Sequence, residues 1–80
     1  MKLLLDLGNT RLKWALRDGD DTLARGAVAW NENVPDALSA AWSSMPRPAA
    51  AFGASVVDAA REQLVARSVA AECMRDVAWL

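Results

Sequence analysis

Two turn signals, Gly8-Asn9 and Asp18-Gly19, divide the first thirty residues into three runs. No other feature constrains the fold as tightly, because glycine paired with Asn or Asp is what a short hairpin connection demands. Leu3–Leu7 reads as a buried strand, apolar on both faces. Arg11–Arg17 alternates, with Leu12, Trp14 and Leu16 on one face and Arg11, Lys13 and Arg17 on the other. Thr22–Trp30 reads as a third strand, with Gly26 a candidate bulge. Short connections between such runs give an antiparallel meander.

The period then changes. Asn31-Glu32-Asn33 breaks the strand pattern, and Pro35 suits the first turn of a helix capped by Asn33. Val34, Leu38, Ala41 and Trp42 fall at helical spacing, which predicts a helix to about Ser43. The loop Ser44–Pro48 ends it. Ala49–Ser55 is small and apolar and predicts a buried, central strand. Ser55 and Asp58 resemble a capping box opening a second helix to about Met74. Ala60, Leu64 and either Arg67 or Ser68 mark one face of it. Asp76–Leu80 predicts a fifth strand. The element order is β-β-β-α-β-α-β, an α/β chain with a mixed sheet and flanking helices.

Bulk properties narrow the function. Eighty residues make one small domain, and a chain of this size buries only roughly 60–65% of its unfolded surface. The apolar share of 54% suits a folded chain rather than a disordered one. Nine basic and ten acidic residues leave a net charge of −1, with no basic patch for a nucleic-acid backbone. There is no histidine, which removes Ser-His-Asp and Cys-His catalysis and the usual zinc sites. Cys73 is the lone cysteine; it reads as a small buried residue of a helix and points to a reducing compartment. The apolar run at the N-terminus stops at Asp6, too short for a secretory leader. No segment approaches the ~20 apolar residues that span a bilayer.

The chemistry gathers in Asp6–Lys13. Asp6 interrupts an apolar strand at its carboxyl end, a place with little structural use for a carboxylate; there it can hold a metal ion or its waters, or simply cap the turn. Gly8 allows backbone N–H groups to approach phosphate oxygens, or supplies positive φ. Asn9 serves equally as a plain turn residue. Thr10 offers a hydroxyl to a phosphate oxygen, or merely starts a strand. Lys13 neutralises charge on a transferring phosphoryl group, or sits on a solvated strand face. Carboxylate, glycine, hydroxyl and cation within eight residues is what a Mg·ATP phosphate site requires. Asp18, Asp20 and Asp21 lack the length and closing glutamate of a calcium loop and read as a solvated turn.

The pattern Asp6-x-Gly8-Asn9-Thr10-x-x-Lys13, followed by Trp14, resembles the first phosphate motif of the type III pantothenate kinases, whose relatives were first named Bvg accessory factors. Gly53-Ala54-Ser55-Val56-Val57 is similar to that family's Ser-Val-Val stretch ahead of a helix, with Asp58 standing where a proline is usual. The resemblance implies a ribonuclease-H-like half-domain of the acetate and sugar kinase/Hsp70/actin superfamily. It implies ATP and pantothenate as substrates, Mg²⁺ positioned by Asp6, phosphate contacts from Gly8, Asn9, Thr10 and Lys13, and a monovalent cation, K⁺ or NH₄⁺. It also implies a homodimer and a cytoplasmic setting. Members of the family have two such half-domains, so residues 1–80 are expected to be a truncated N-terminal lobe, inactive alone, with the general base beyond residue 80. An exposed apolar patch and self-association are then expected, with Trp79 the first of the four tryptophans to be stranded. Three alternatives stand beside this reading: another kinase or phosphatase of the same superfamily, a non-catalytic accessory protein, and a plain oligomerising α/β module.

Overall fold

Leu3, Leu5 and Leu7 are buried while Lys2, Leu4 and Asp6 are exposed, so the first strand, β1 (Lys2–Leu7), has one covered face and one open face. This corrects the expectation of a strand buried on both sides. The computed structural model describes residues 1–80 and builds the rest of the fold on this alternation. β2 (Arg11–Asp18) buries Leu12, Trp14 and Leu16, and β3 (Asp21–Ala29) completes the meander. The β2–β3 connection turns at Gly19, whose φ of 59° is the left-handed conformation that glycine adopts without steric cost.

The bulge lies elsewhere than at Gly26. Leu16 pairs with Ala24 and Arg17 with Thr22, so the extra residue is Leu23. Gly26 sits opposite Trp14, and a Cβ there would stand 2.9 Å from the indole ring. The glycine is required by the tryptophan across the ladder.

The sheet order is β3-β2-β1-β4-β5. β4 (Ala50–Ser55) pairs parallel with β1, and β5 (Val77–Trp79) pairs parallel with β4. Parallel neighbours need crossover connections; α1 (Val34–Trp42) precedes β4 and α2 (Ala59–Cys73) links β4 to β5. Both helices join one core with the odd-numbered leucines of β1, comprising Val34, Leu38 and Trp42 from α1 and Val65, Val69 and Cys73 from α2. Trp14 meets Trp42 edge-on, ring centroids 5.9 Å apart. The helices therefore cover one face of the sheet and leave the other open.

Helix ends follow local chemistry. Asn33 Oδ1 accepts from the Asp36 N–H at 3.2 Å, the cap expected for α1, although Ala41 is exposed rather than part of its buried face. The cap of α2 is Asp58, whose Oδ1 accepts from the Arg61 N–H at 2.9 Å. Ser55 instead ends β4 and accepts from the Val57 N–H. The buried face of α2 is Val65, Ser68, Val69 and Cys73; Ala60 and Arg67 are exposed. No helix is long and apolar enough to cross a membrane.

Candidate phosphate-binding site

Strand parity places the two strongest candidates together. Asp6 lies on the open face of β1, directly opposite Lys13 on β2 in the antiparallel register. Such opposed residues stand with Cβ atoms about 4.5–5.5 Å apart. Both side chains are exposed, and both line a shallow depression of about 570 Å³ on the open face. Arg11 and Arg25 line it too, over an apolar floor that includes Leu4 and Ala15. Three cations and one carboxylate make the hollow attractive to an anion.

The turn between the two strands completes the site. The Gly8 N–H donates to the Arg11 carbonyl at 3.1 Å, closing the turn. The N–H groups of Asn9 and Thr10 have no partner within the chain. Two free, exposed backbone donors side by side suit a phosphate oxygen. Gly8 does not have positive φ, and a Cβ there would meet only the Arg11 carbonyl, at an ordinary 3.5 Å. The fold itself thus makes little demand on Gly8.

All five expected residues, Asp6, Gly8, Asn9, Thr10 and Lys13, fall at one end of the β1–β2 hairpin or in its turn. Sequence reasoning missed three others. Arg11, on the polar face of β2, lines the depression. Arg25 reaches it because the Leu23 bulge sets the β3 register that places it opposite Ala15. Trp30, read only as the end of the third strand, donates its indole Nε1–H to the Gly8 carbonyl at 2.7 Å. Arg17, on the same strand as Arg11, is half-buried and donates to the Asp20 carbonyl.

The arrangement does not cage a metal. No group of three or more His, Cys, Asp or Glu gathers anywhere in the fold. One exposed carboxylate does fit Mg²⁺ that arrives on a nucleotide, since that ion keeps several waters and takes one or two carboxylates beside the phosphates.

Comparison with known proteins adds to this geometry. The sequence profile of the family described as Type III pantothenate kinase matches residues 2–79. Among curated proteins, the chain is similar to a Type III pantothenate kinase of Chromobacterium violaceum, 46% identical over 46 residues, which is 58% of this chain and 19% of that protein. One from Alkalilimnicola ehrlichii is 48% identical over 58% of this chain and 18% of its own length. One from Leptothrix cholodnii is 41% identical over 76% of this chain and 25% of its own. The chain thus spans about a fifth to a quarter of the length of these curated relatives.

Proposed function

The chain belongs to the type III pantothenate kinase family, and from that premise we propose that residues 1–80 form the N-terminal, phosphate-binding lobe of an ATP-dependent pantothenate kinase. The observation that carries this reading is the β1–β2 hairpin end: Asp6 opposite Lys13, with the unpartnered Asn9 and Thr10 N–H groups in the turn between their strands.

In this reading the turn amides and the Thr10 hydroxyl hold the nucleotide phosphates. Lys13, with Arg11 beside it, offsets the charge that spreads over the equatorial oxygens as the γ-phosphoryl group transfers. The pantothenate hydroxyl oxygen bonds to the γ-phosphorus, and the bond from that phosphorus to the β–γ bridging oxygen breaks, releasing ADP. The hydroxyl proton passes to a base beyond residue 80. Mg²⁺ bound with the nucleotide supplies further charge neutralisation, and Asp6 is the residue of this chain that would hold it or its waters. K⁺ or NH₄⁺ as a further cofactor, a homodimeric assembly and a cytoplasmic setting belong to the same proposal. The lobe alone binds nucleotide weakly and transfers nothing.

A Mg·ATP titration of the 80-residue chain, followed by amide NMR shifts, tests the site. The expected result is movement concentrated at residues 6–13, with affinity falling about tenfold in Lys13→Ala, the ~1.4 kcal/mol scale of one charge-assisted contact at an exposed site. Shifts scattered over the chain, or identical in Lys13→Ala, would sink the assignment.

A further inference from the structure

Trp30 grips the β1–β2 turn at two points. Its indole Nε1–H donates to the Gly8 carbonyl at 2.7 Å, a side-chain contact across 22 residues. Its backbone N–H donates to the Thr10 carbonyl at 3.3 Å. One residue therefore fixes the carbonyls on both sides of Asn9. In a planar trans peptide the C=O of one residue and the N–H of the next point in opposite directions. Anchoring the Gly8 carbonyl on the indole thus turns the Asn9 N–H away from Trp30, and that N–H is one of the two unpartnered donors of the site.

The anchor is itself held. Trp30 packs half-buried against the hydrophobic core, and the Arg61 guanidinium lies 5.4 Å from its ring centroid. An arginine over an indole face is an attractive contact. Arg61 stands in the first turn of α2, beside the Asp58 cap. On the other side of the turn, the Val56 N–H donates to the Leu7 carbonyl, tying the β4–α2 loop to the end of β1. A glycine-containing turn gains little rigidity from its own residues. Here that rigidity comes from a residue beyond the far end of β3.

We propose that Trp30 is a positioning residue for phosphate binding: its indole N–H presets the Gly8–Thr10 turn so that the Asn9 and Thr10 amides meet a nucleotide phosphate without rearrangement. The proposal rests on the phosphate-site reading above. An anion donor site whose amides are ordered in advance binds more tightly than one that must order them on binding. Trp30 need not touch the ligand to have this effect.

Trp30→Phe tests it, because phenylalanine keeps an aromatic ring for the core and for Arg61 while losing the pyrrole half of the indole and its N–H. Trp79→Phe is the control, a second half-buried tryptophan that makes no contact with the turn. In the 80-residue chain without nucleotide, Trp30→Phe is expected to shift and broaden the Asn9 and Thr10 amides while the Leu16 and Val69 amides of the core stay in place. With Mg·ATP, its dissociation constant is expected to rise about tenfold, against no change in Trp79→Phe. Wild-type affinity in Trp30→Phe, or unmoved turn amides, would overturn the positioning role and leave the phosphate site standing. A wild-type chain silent to Mg·ATP would overturn the site and the positioning role together. If Trp30→Phe fails to fold, the wild-type chain decides through its four indole signals. The Trp30 Nε1–H is expected to exchange slowly with solvent and to shift on nucleotide addition, and a fast-exchanging, unresponsive signal would refute the clamp.

Discussion

Gly53 lies beneath the ring of Trp79, its parallel partner on β5, and a Cβ added at Gly53 would stand 2.5 Å from that ring, closer than two atoms can pack. Gly53→Ala is therefore expected to destabilise the chain by about 1–3 kcal/mol, the cost of forcing volume into a filled space. Urea melts of the two proteins check it; an unchanged midpoint would mean that Trp79 has another place to go. The same contact corrects an expectation, since Trp79 packs half-buried against the core rather than standing stranded on an open surface. The roles of Gly26 and Gly53 were hidden in the sequence because each is defined by a cross-strand partner, and partners follow from register. Asp6 and Lys13 were legible for the opposite reason. A period of two and one short turn are enough to place them on the same face. Arg25 depended on a bulge that no local signal marks, and Trp30 on a hydrogen bond spanning 22 residues.

At the level of elements, β1 carries the clearest contrast. Leu5 is 4% exposed and Leu4 is 38% exposed, though they are neighbours of identical chemistry. Leu5→Ala should cost about 2–5 kcal/mol through lost burial and the cavity left behind. Leu4→Ala should cost under about 1 kcal/mol. Thermal melts of the pair measure the difference directly, and equal losses would contradict a sheet covered on one face only. The five strands and two helices, their order and the Asn33 cap were all readable from turn residues and periodicity. The openness of one face was not. A run of leucines states that a strand is apolar, but whether a helix covers each side depends on where the crossovers pass. The face of α2 was also misread in part. Leu64 does pack against the core and Ser68 is buried, but Ala60 and Arg67 are exposed; Ala59–Cys73 is rich in small residues, so several helical stripes look alike, and packing chose the one through Val65 and Val69.

For the molecule as a whole, that open face joins apolar and charged groups in one surface. Leu4 and Phe52 lie on it, with the Lys2 ammonium 5.9 Å from the Phe52 ring centroid. All four tryptophans belong instead to the helical side or its margin. Deep in that side is Cys73, the last residue of α2, closed off by Met74 in the left-handed conformation at φ 55°. Burial pushes the Cys73 thiol up from its ordinary value, with the neighbouring Glu72 charge adding to the effect and Arg47 opposing it. A thiol held protonated by the fold stabilises the native chain fully below the unfolded thiol's value, about 8.5. That contribution disappears as pH rises through the higher native value. Melting temperature is therefore expected to fall on the alkaline side of about pH 8.5, and to fall less in Cys73→Ala; parallel curves would show that the thiol plays no part. A buried, protonated sulfur is also a poor nucleophile. An alkylating reagent must wait for the chain to open, so its rate of consumption records each excursion from the native state. The lone cysteine makes the protein its own clock, one that runs faster with every substitution that loosens the core.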